Sequence, residues 1–396
     1  MTGDPNFEGT GALAAAQKLA PRLAERAAAH DERGRFPADD FADLRAAGLL
    51  GLMAPTRLGG LGASFAEYSE VAAELARGAG ATALIFNMHA SVTGALAHTP
   101  DELVRQLGAP ESSFEARDRA LAAAADGALY GVAMSERGSG SRLSRTSTAY
   151  RRTGTGFRIT GDKAFVSGAG HADAYLVTAR DAESEEPQVS YFLVPAGDGI
   201  RVEQTWDSLG MRATGSHDVH FDVEVGPEAL LGGMEGLTLM LAEVMPQWLV
   251  ASYAAVYVGV ARSAVDAAVD HVRERGLGGL PTVRARLGRA DAAVTAAELV
   301  VAETAARIDD EPGTPETNRW VWRAKLVAGD TAAEVATSLL EAAGASATRR
   351  GHPLERIFRD SRCGALQPAT SDVCADWLGV AAVGDDPDHD AEVPRW

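Results

Sequence analysis

The sequence predicts an α+β chain in which an N-terminal all-α domain is followed by a central antiparallel β-domain and a C-terminal four-helix bundle. Three observations predict it. Residues 11–125 are rich in Ala, Leu, Glu and Arg, with apolar side chains three and four apart, as in Leu19, Leu23 and Ala27. Between about residues 127 and 227 the period falls to two and β-formers take over. From Met234 onward helical spacing returns in long segments. A length of 396 residues allows two or three domains. The divisions expected are 1–126 for the helical domain, 127–228 for a β-barrel or sandwich, and 229–396 for the helical bundle.

Within the first domain, Tyr68, Val71, Ala72 and Leu75 continue the helical face, and the Gly-rich stretches at residues 48–55 and 58–63 break it into turns. Residues 85–92 form an apolar helix carrying His89. The plain reading of His89 is a packed histidine making one hydrogen bond; the sharper one is a proton-transfer group. In the β-domain, strands are expected at 157–160, 174–178, 189–194 and 218–223, separated by Gly, Asp and Pro turns. Helices are expected at 238–275, 281–309, 314–343 and 370–383, with Pro312 and Gly313 marking one break.

Composition narrows the function. With 46% hydrophobic and 23% charged residues the chain is ordinary globular material, and a formal charge of -18 argues against nucleic acid as a partner. Cys363 and Cys374 are its only cysteines, which suits a reducing compartment, and neither has the company that a metal site needs. No run of 18 apolar residues is free of charge, and residues 1–8 lack the basic and apolar regions of a signal peptide. A cytoplasmic enzyme with no membrane partner is expected.

Chemistry concentrates in residues 130–168. A short apolar run breaks into Ser135-Glu136-Arg137-Gly138-Ser139-Gly140-Ser141-Arg142, a loop whose backbone N–H groups and hydroxyls could surround a phosphate or a heterocycle edge. About thirty residues later, Phe165-Val166-Ser167 offers an aromatic face and a hydroxyl on one strand. Further on come Leu209-Gly210-Met211-Arg212, a strand at residues 219–225, and Arg359-Asp360. In order and spacing these resemble the flavin loop, the Trp-Ile-Thr/Ser strand, the Leu-Gly-x-Arg segment and the C-terminal arginine-aspartate signature of the acyl-CoA dehydrogenase superfamily.

That resemblance implies bound FAD, with FMN or no flavin as alternatives, and it assigns contacts. Met134 and Ser135 would meet the pyrimidine edge, Gly140 and Ser141 the pyrophosphate, Phe165 the ring face and Ser167 the region of N5; Thr370 is a further contact. Arg273, in a segment that normally reaches the pyrophosphate and is shortened here, and Gly344 would serve the cofactor's far end from a second subunit, so a homodimer or homotetramer is expected. It also exposes departures. The usual catalytic Glu is replaced by Pro368, and the alternative base position by Leu249, neither of which can take a proton. His89, Glu136 and Glu341 are the remaining candidates. A Gln near the phosphates becomes Glu341, which is unfavourable unless the carboxylate turns away or is protonated. The function expected is FAD-dependent oxidation of a CoA- or carrier-bound acyl thioester. The alternatives are a flavin-dependent monooxygenase of the same fold and a non-redox relative.

Overall fold

The structure is a computed structural model in which residues 11–185 and 188–389 are described. The N-terminal stretch read for a signal peptide lies outside the described residues.

Six helices open the chain: α1 (Ala12–Arg33), α2 (Ala38–Ala46), α3 (Phe65–Gly78), α4 (Gly80–His98), α5 (Asp101–Gln106) and α6 (Glu111–Ala125). α3 starts at a capping box, in which the Ser64 hydroxyl accepts from Glu67 N and the Glu67 carboxylate accepts from Ser64 N. α4 is buried on nearly all sides, against α3, the later helix α8 and the first strand, because its sequence carries no charged residue before His98.

The strands are β1 (Tyr130–Ala133), β2 (Ala149–Arg152), β3 (Phe157–Val166), β4 (Ala174–Asp181), β5 (Val189–Pro195), β6 (Ile200–Glu203) and β7 (His217–Val225). They form one seven-stranded sheet in the order β1-β4-β2-β3-β7-β6, with β5 on the other edge of β4. The pairs β2–β3, β3–β7, β4–β5 and β6–β7 are antiparallel, as expected, whereas β1 and β2 both run parallel to β4. The register of β3 on β7 slips between Lys163 and Val166, an extra residue that bulges the strand at Phe165.

The C-terminal half holds α7 (Thr238–Val244), α8 (Ala251–Glu274), α9 (Pro281–Asp310), α10 (Pro315–Ala343), α11 (Pro353–Arg362) and α12 (Ser371–Val383). The single helix expected at 238–275 is therefore two. Pro246 opens a 3₁₀ turn between them, since it lacks the N–H that would continue the α-helix. The stretch Pro246–Glu274 is long and apolar enough to cross a membrane, but 83% of its apolar window is buried inside the protein, where α8 is packed by α3, α4, α9 and α10.

The arginine-aspartate pair ties the three regions together. Arg359 donates to Asp31 on α1 (2.5 Å), to Glu355 (2.7 Å) and to the Leu209 carbonyl (3.0 Å), and Asp360 accepts from Met211 N at 2.6 Å.

Candidate active site

A cavity of about 800 Å³ opens where the three regions meet. Met88, Val92, Ala95 and Leu96 of α4 form one wall, with Phe114 of α6 beyond them. Leu230, Leu237, Leu241, Met245 and Trp248 also line the cavity. Trp248 lies against α4 because residue 94 is glycine: a Cβ there would stand 2.2 Å from the indole ring. The volume suits a small organic molecule, and the walls are mostly apolar.

The sheet side of the cavity ends in Met134, Ser135 and residues 138–142. Glu136 and Gly140 exchange two backbone hydrogen bonds (2.9 and 2.8 Å), closing the loop into a tight turn with Gly140 at φ 64. A Cβ at Gly138 or Gly140 would meet no atom within 4 Å, so the turn faces open space. Beneath it the buried Glu136 carboxylate accepts from Thr146 Oγ1 (2.5 Å), Ser147 N (2.7 Å), Ser147 Oγ (2.6 Å), Thr148 N (3.0 Å) and Lys163 Nζ (2.8 Å). Burial works against its charge, but Lys163 and these donors outweigh it and hold the carboxyl well below the usual range. Lys163 is itself pushed down to about 8 by burial, with Glu136 pulling the other way. Glu136 thus anchors the loop and has no lone pair left for a substrate proton.

On the helical side, Pro368, Ala369 and Thr370 line the cavity beside Leu249 and Tyr253. The Thr370 hydroxyl caps α12 by accepting from Val373 N. This segment is held from behind by Lys325, which is 0% exposed and donates to the carbonyls of Gly364 (2.8 Å), Gln367 (3.2 Å) and Ala369 (2.9 Å). Burial lowers its pKa to about 8.

The residues singled out in the sequence separate into four groups. Met134, Ser135, Gly140, Ser141, Thr370, Pro368 and Leu249 all line the cavity. Phe165 and Ser167 lie beside it rather than on its wall. The bond from Ala164 N to Ser135 O (2.8 Å) ties their strand to the loop. Phe165 is 57% exposed at φ 59, a conformation that costs a bulky side chain energy, and its ring stands T-shaped to that of Trp206. The Ser167 hydroxyl is bonded to Ser216 Oγ (3.0 Å), which is bonded in turn to Thr214 Oγ1 (2.7 Å).

Arg273 and Gly344 form a third group. They sit near the distal ends of α8 and α10, roughly 30 Å along each helix from the cavity residues Tyr253 and Trp322. Glu341 turns to Arg286 at 2.7 Å, which answers the electrostatic objection to a carboxylate there.

His89 must be corrected. Its Nδ1 accepts from Tyr130 N (3.0 Å) and its Nε2 donates to the Leu50 carbonyl (2.7 Å), so both nitrogens are used and the ring is buried. Burial pushes it down to about 4, keeping it neutral. It is a core histidine bracing α4 against β1, not a base.

Sequence reading missed Trp248, Trp322, Tyr191 and Tyr253, all on the cavity wall. Alternation along β5 sets Tyr191 and Leu193 opposite the buried Phe192 and Val194, but nothing in it shows that their face meets a cavity.

Residues 13–107, 131–223 and 251–370 match, in turn, the family descriptions "Acyl-CoA dehydrogenase, N-terminal domain", "middle domain" and "C-terminal domain". The chain is 30% identical to "Putative acyl-CoA dehydrogenase YdbM" of Bacillus subtilis (strain 168), covering 92% of this chain and 94% of that one. It is also 30% identical to "Amino sugar nitrososynthase RubN8" of Streptomyces rubradiris, covering 92% and 87%. Among solved structures it is similar to the dibenzothiophene monooxygenase TdsC of Paenibacillus sp. A11-2 in complex with FMN and indole, with 27% identity, a TM-score of 0.81, and 94% and 96% of the two chains covered.

Proposed function

The chain belongs to the acyl-CoA dehydrogenase family, and from that premise we propose that it is a flavin-dependent monooxygenase of a small organic substrate. One observation carries the reading. Pro368 and Leu249, the two positions that the family resemblance assigns to a base, stand on the cavity wall and cannot accept a proton. The carboxylates that touch the cavity among the described residues, Glu228, Asp372 and Asp376, are exposed at its rim. Removal of a proton α to a thioester needs a base in contact with the substrate; oxygen transfer does not. The likeness to a nitrososynthase and to an FMN-bound monooxygenase supports the same reading.

The sheet-side wall fits a flavin ring. The open turn at Gly138 and Gly140 leaves room that a Cβ would fill, and Phe165 presents an aromatic ring that is mostly exposed. Met134 and Ser135 would meet the ring's polar edge, residues 138–141 and Thr370 its ribityl phosphate side, and Phe165 its face, with the Ser167 hydroxyl close by. One chain therefore offers contacts to the portion that FMN and FAD share, while Arg273 and Gly344 would reach an adenine only from a second copy. When bound and reduced, such a flavin supplies the activation of molecular oxygen and the delivery of one oxygen atom to the substrate. The chain's own residues then position and protect: the apolar walls exclude water, Lys163 fixes the loop, and Lys325 fixes the facing segment.

A second reading, FAD-dependent oxidation of a CoA- or carrier-bound acyl thioester, draws on the same apolar walls, which suit an acyl chain. It still lacks a proton acceptor inside the cavity among the described residues.

The test is oxygen incorporation. The purified protein, supplied with reduced FMN or FAD by a separate reductase, is incubated under isotopically labelled oxygen with a panel of aromatic, thioether and amine compounds, and products are read by mass spectrometry. Label in a product is expected. Absence of label, together with an enoyl thioester formed from acyl-CoA and a synthetic electron acceptor, would overturn the proposal.

A further inference from the structure

The cavity wall carries two phenols that the protein does not use. The Tyr191 hydroxyl finds no hydrogen-bond partner among the described residues, and that of Tyr253 reaches only the Met88 thioether, at 3.6 Å, a weak acceptor. Both phenols are pushed above the usual range by burial, so each remains a donor. Tyr191 is only half-buried by surface, and the surface it exposes belongs to the cavity. Leaving such a donor unmade in apolar surroundings is costly, which marks it as a group awaiting an acceptor from outside the chain.

Several other polar side chains of the wall are already committed, while Ser139 Oγ, Thr238 Oγ1 and Trp248 Nε1, which have no partner among the described residues, are buried away from its open space. Ser91 bonds Ser252, Thr99 the Ala95 carbonyl, and Ser113 the Pro110 carbonyl. Arg117 is paired with Asp101 and Asp118. At the rim, the cation that makes no side-chain hydrogen bond among the described residues is Arg142, and three exposed carboxylates, Glu228, Asp372 and Asp376, line the same cavity. Arg145 is exposed but lies off the cavity wall. A nucleotide or CoA handle on the substrate carries several negative charges and, with Arg142 on the loop assigned to the flavin, would meet the carboxylates of the rim in a chain of net charge -18.

We infer that the cavity takes a neutral, largely apolar molecule without a nucleotide or CoA handle, and that Tyr191 orients it by donating a hydrogen bond to a single acceptor atom. This rests on the reading of the cavity as the substrate site. A monooxygenase needs one substrate atom held toward the flavin, and a donor open to an apolar chamber can fix that atom where dispersion alone would leave the molecule free to rotate.

The experiment measures equilibrium binding to the protein as purified, by quenching of tryptophan fluorescence, since Trp248 and Trp322 line the cavity, and by calorimetry. Quinoline and naphthalene share a shape and differ by one ring acceptor. Tyr191→Phe is expected to weaken quinoline about five-fold while naphthalene binding stays unchanged, which also shows that the variant is folded. Thymidine diphosphate and butyryl-CoA are expected to compete with quinoline at least ten-fold more weakly than naphthalene does. An equal effect of the substitution on both probes, failure of both to bind, or tighter competition by either anion overturns the inference. Flavin content is read separately from the visible spectrum. A protein that binds quinoline as described but takes no flavin would contradict the monooxygenase reading and leave the binding inference standing.

Discussion

On the sheet side of the cavity Lys163 holds the Ser/Gly loop through the carboxylate of Glu136; on the helical side Lys325 holds residues 364–369 through three carbonyl oxygens, with no carboxylate among the described residues in hydrogen-bond contact. Both ammonium groups are buried, and burial brings both to about pH 8. The difference lies in what each loses if the other partner goes. The sheet-side clamp is an ion pair whose halves offset each other's burial, whereas the helical-side clamp is a lone charge solvated by backbone dipoles. The sheet-side wall is thereby the more firmly fixed one, and the helical-side wall is the one more open to change.

The largest effect should come from splitting the ion pair. Lys163→Met strands the Glu136 carboxylate and should cost about 3–5 kcal/mol of unfolding free energy in a urea titration. Adding Glu136→Gln to that variant should recover much of the loss, and failure to recover it would show that the pair is not the unit that matters.

Lys325→Met should cost less, about 2 kcal/mol, because it leaves carbonyl groups rather than a charge unpaired. Its signature is the pH dependence. The folded pKa of Lys325 lies below its unfolded value, so between about pH 8 and 10 the unfolded chain binds more protons and stability rises with pH. Lys325→Met should flatten that rise. Glu136 behaves oppositely: its carboxyl is depressed, so its contribution is present above the unfolded value of about 4.3 and is lost as pH falls toward the folded one. Glu136→Gln should flatten the acid limb, measured by thermal melts across pH.

Phe165→Gly separates stability from ligand binding. The side chain is mostly exposed and sits in the left-handed region, so stability should stay constant or rise by up to about 1 kcal/mol. Flavin affinity, read by fluorescence titration with FMN, should fall by about ten-fold through loss of stacking. Smallest of all, Glu341→Gln breaks only the exposed pair with Arg286 and should move stability by less than about 0.5 kcal/mol.

The fold was legible in the sequence because its signals are local: helical spacing, the shift to period two and the Gly/Pro breaks each belong to a short window. The join at Met245 to Val250 was not, since an apolar run reads as one helix until Pro246 is seen to open a turn. The parallel pairing of β1 and β2 with β4 is a long-range choice that no strand's own alternation records. At the site, the loop and the strand of Phe165 could be found from their residue types. Tyr191, Trp248 and Lys325 could not, because a phenol, an indole and a lysine acquire meaning only from what surrounds them. His89 shows the converse error: a histidine on an apolar helix invites a chemical role until both its nitrogens are seen to be bonded to backbone.

The central claim, that this cavity does not remove a proton from an acyl thioester, is met most directly by titrating the flavin-loaded protein with acyl-CoA esters of graded chain length in the absence of oxygen while following the flavin's visible band. The account predicts that the band keeps its intensity throughout. Bleaching of the band with stoichiometric formation of the enoyl thioester would contradict it.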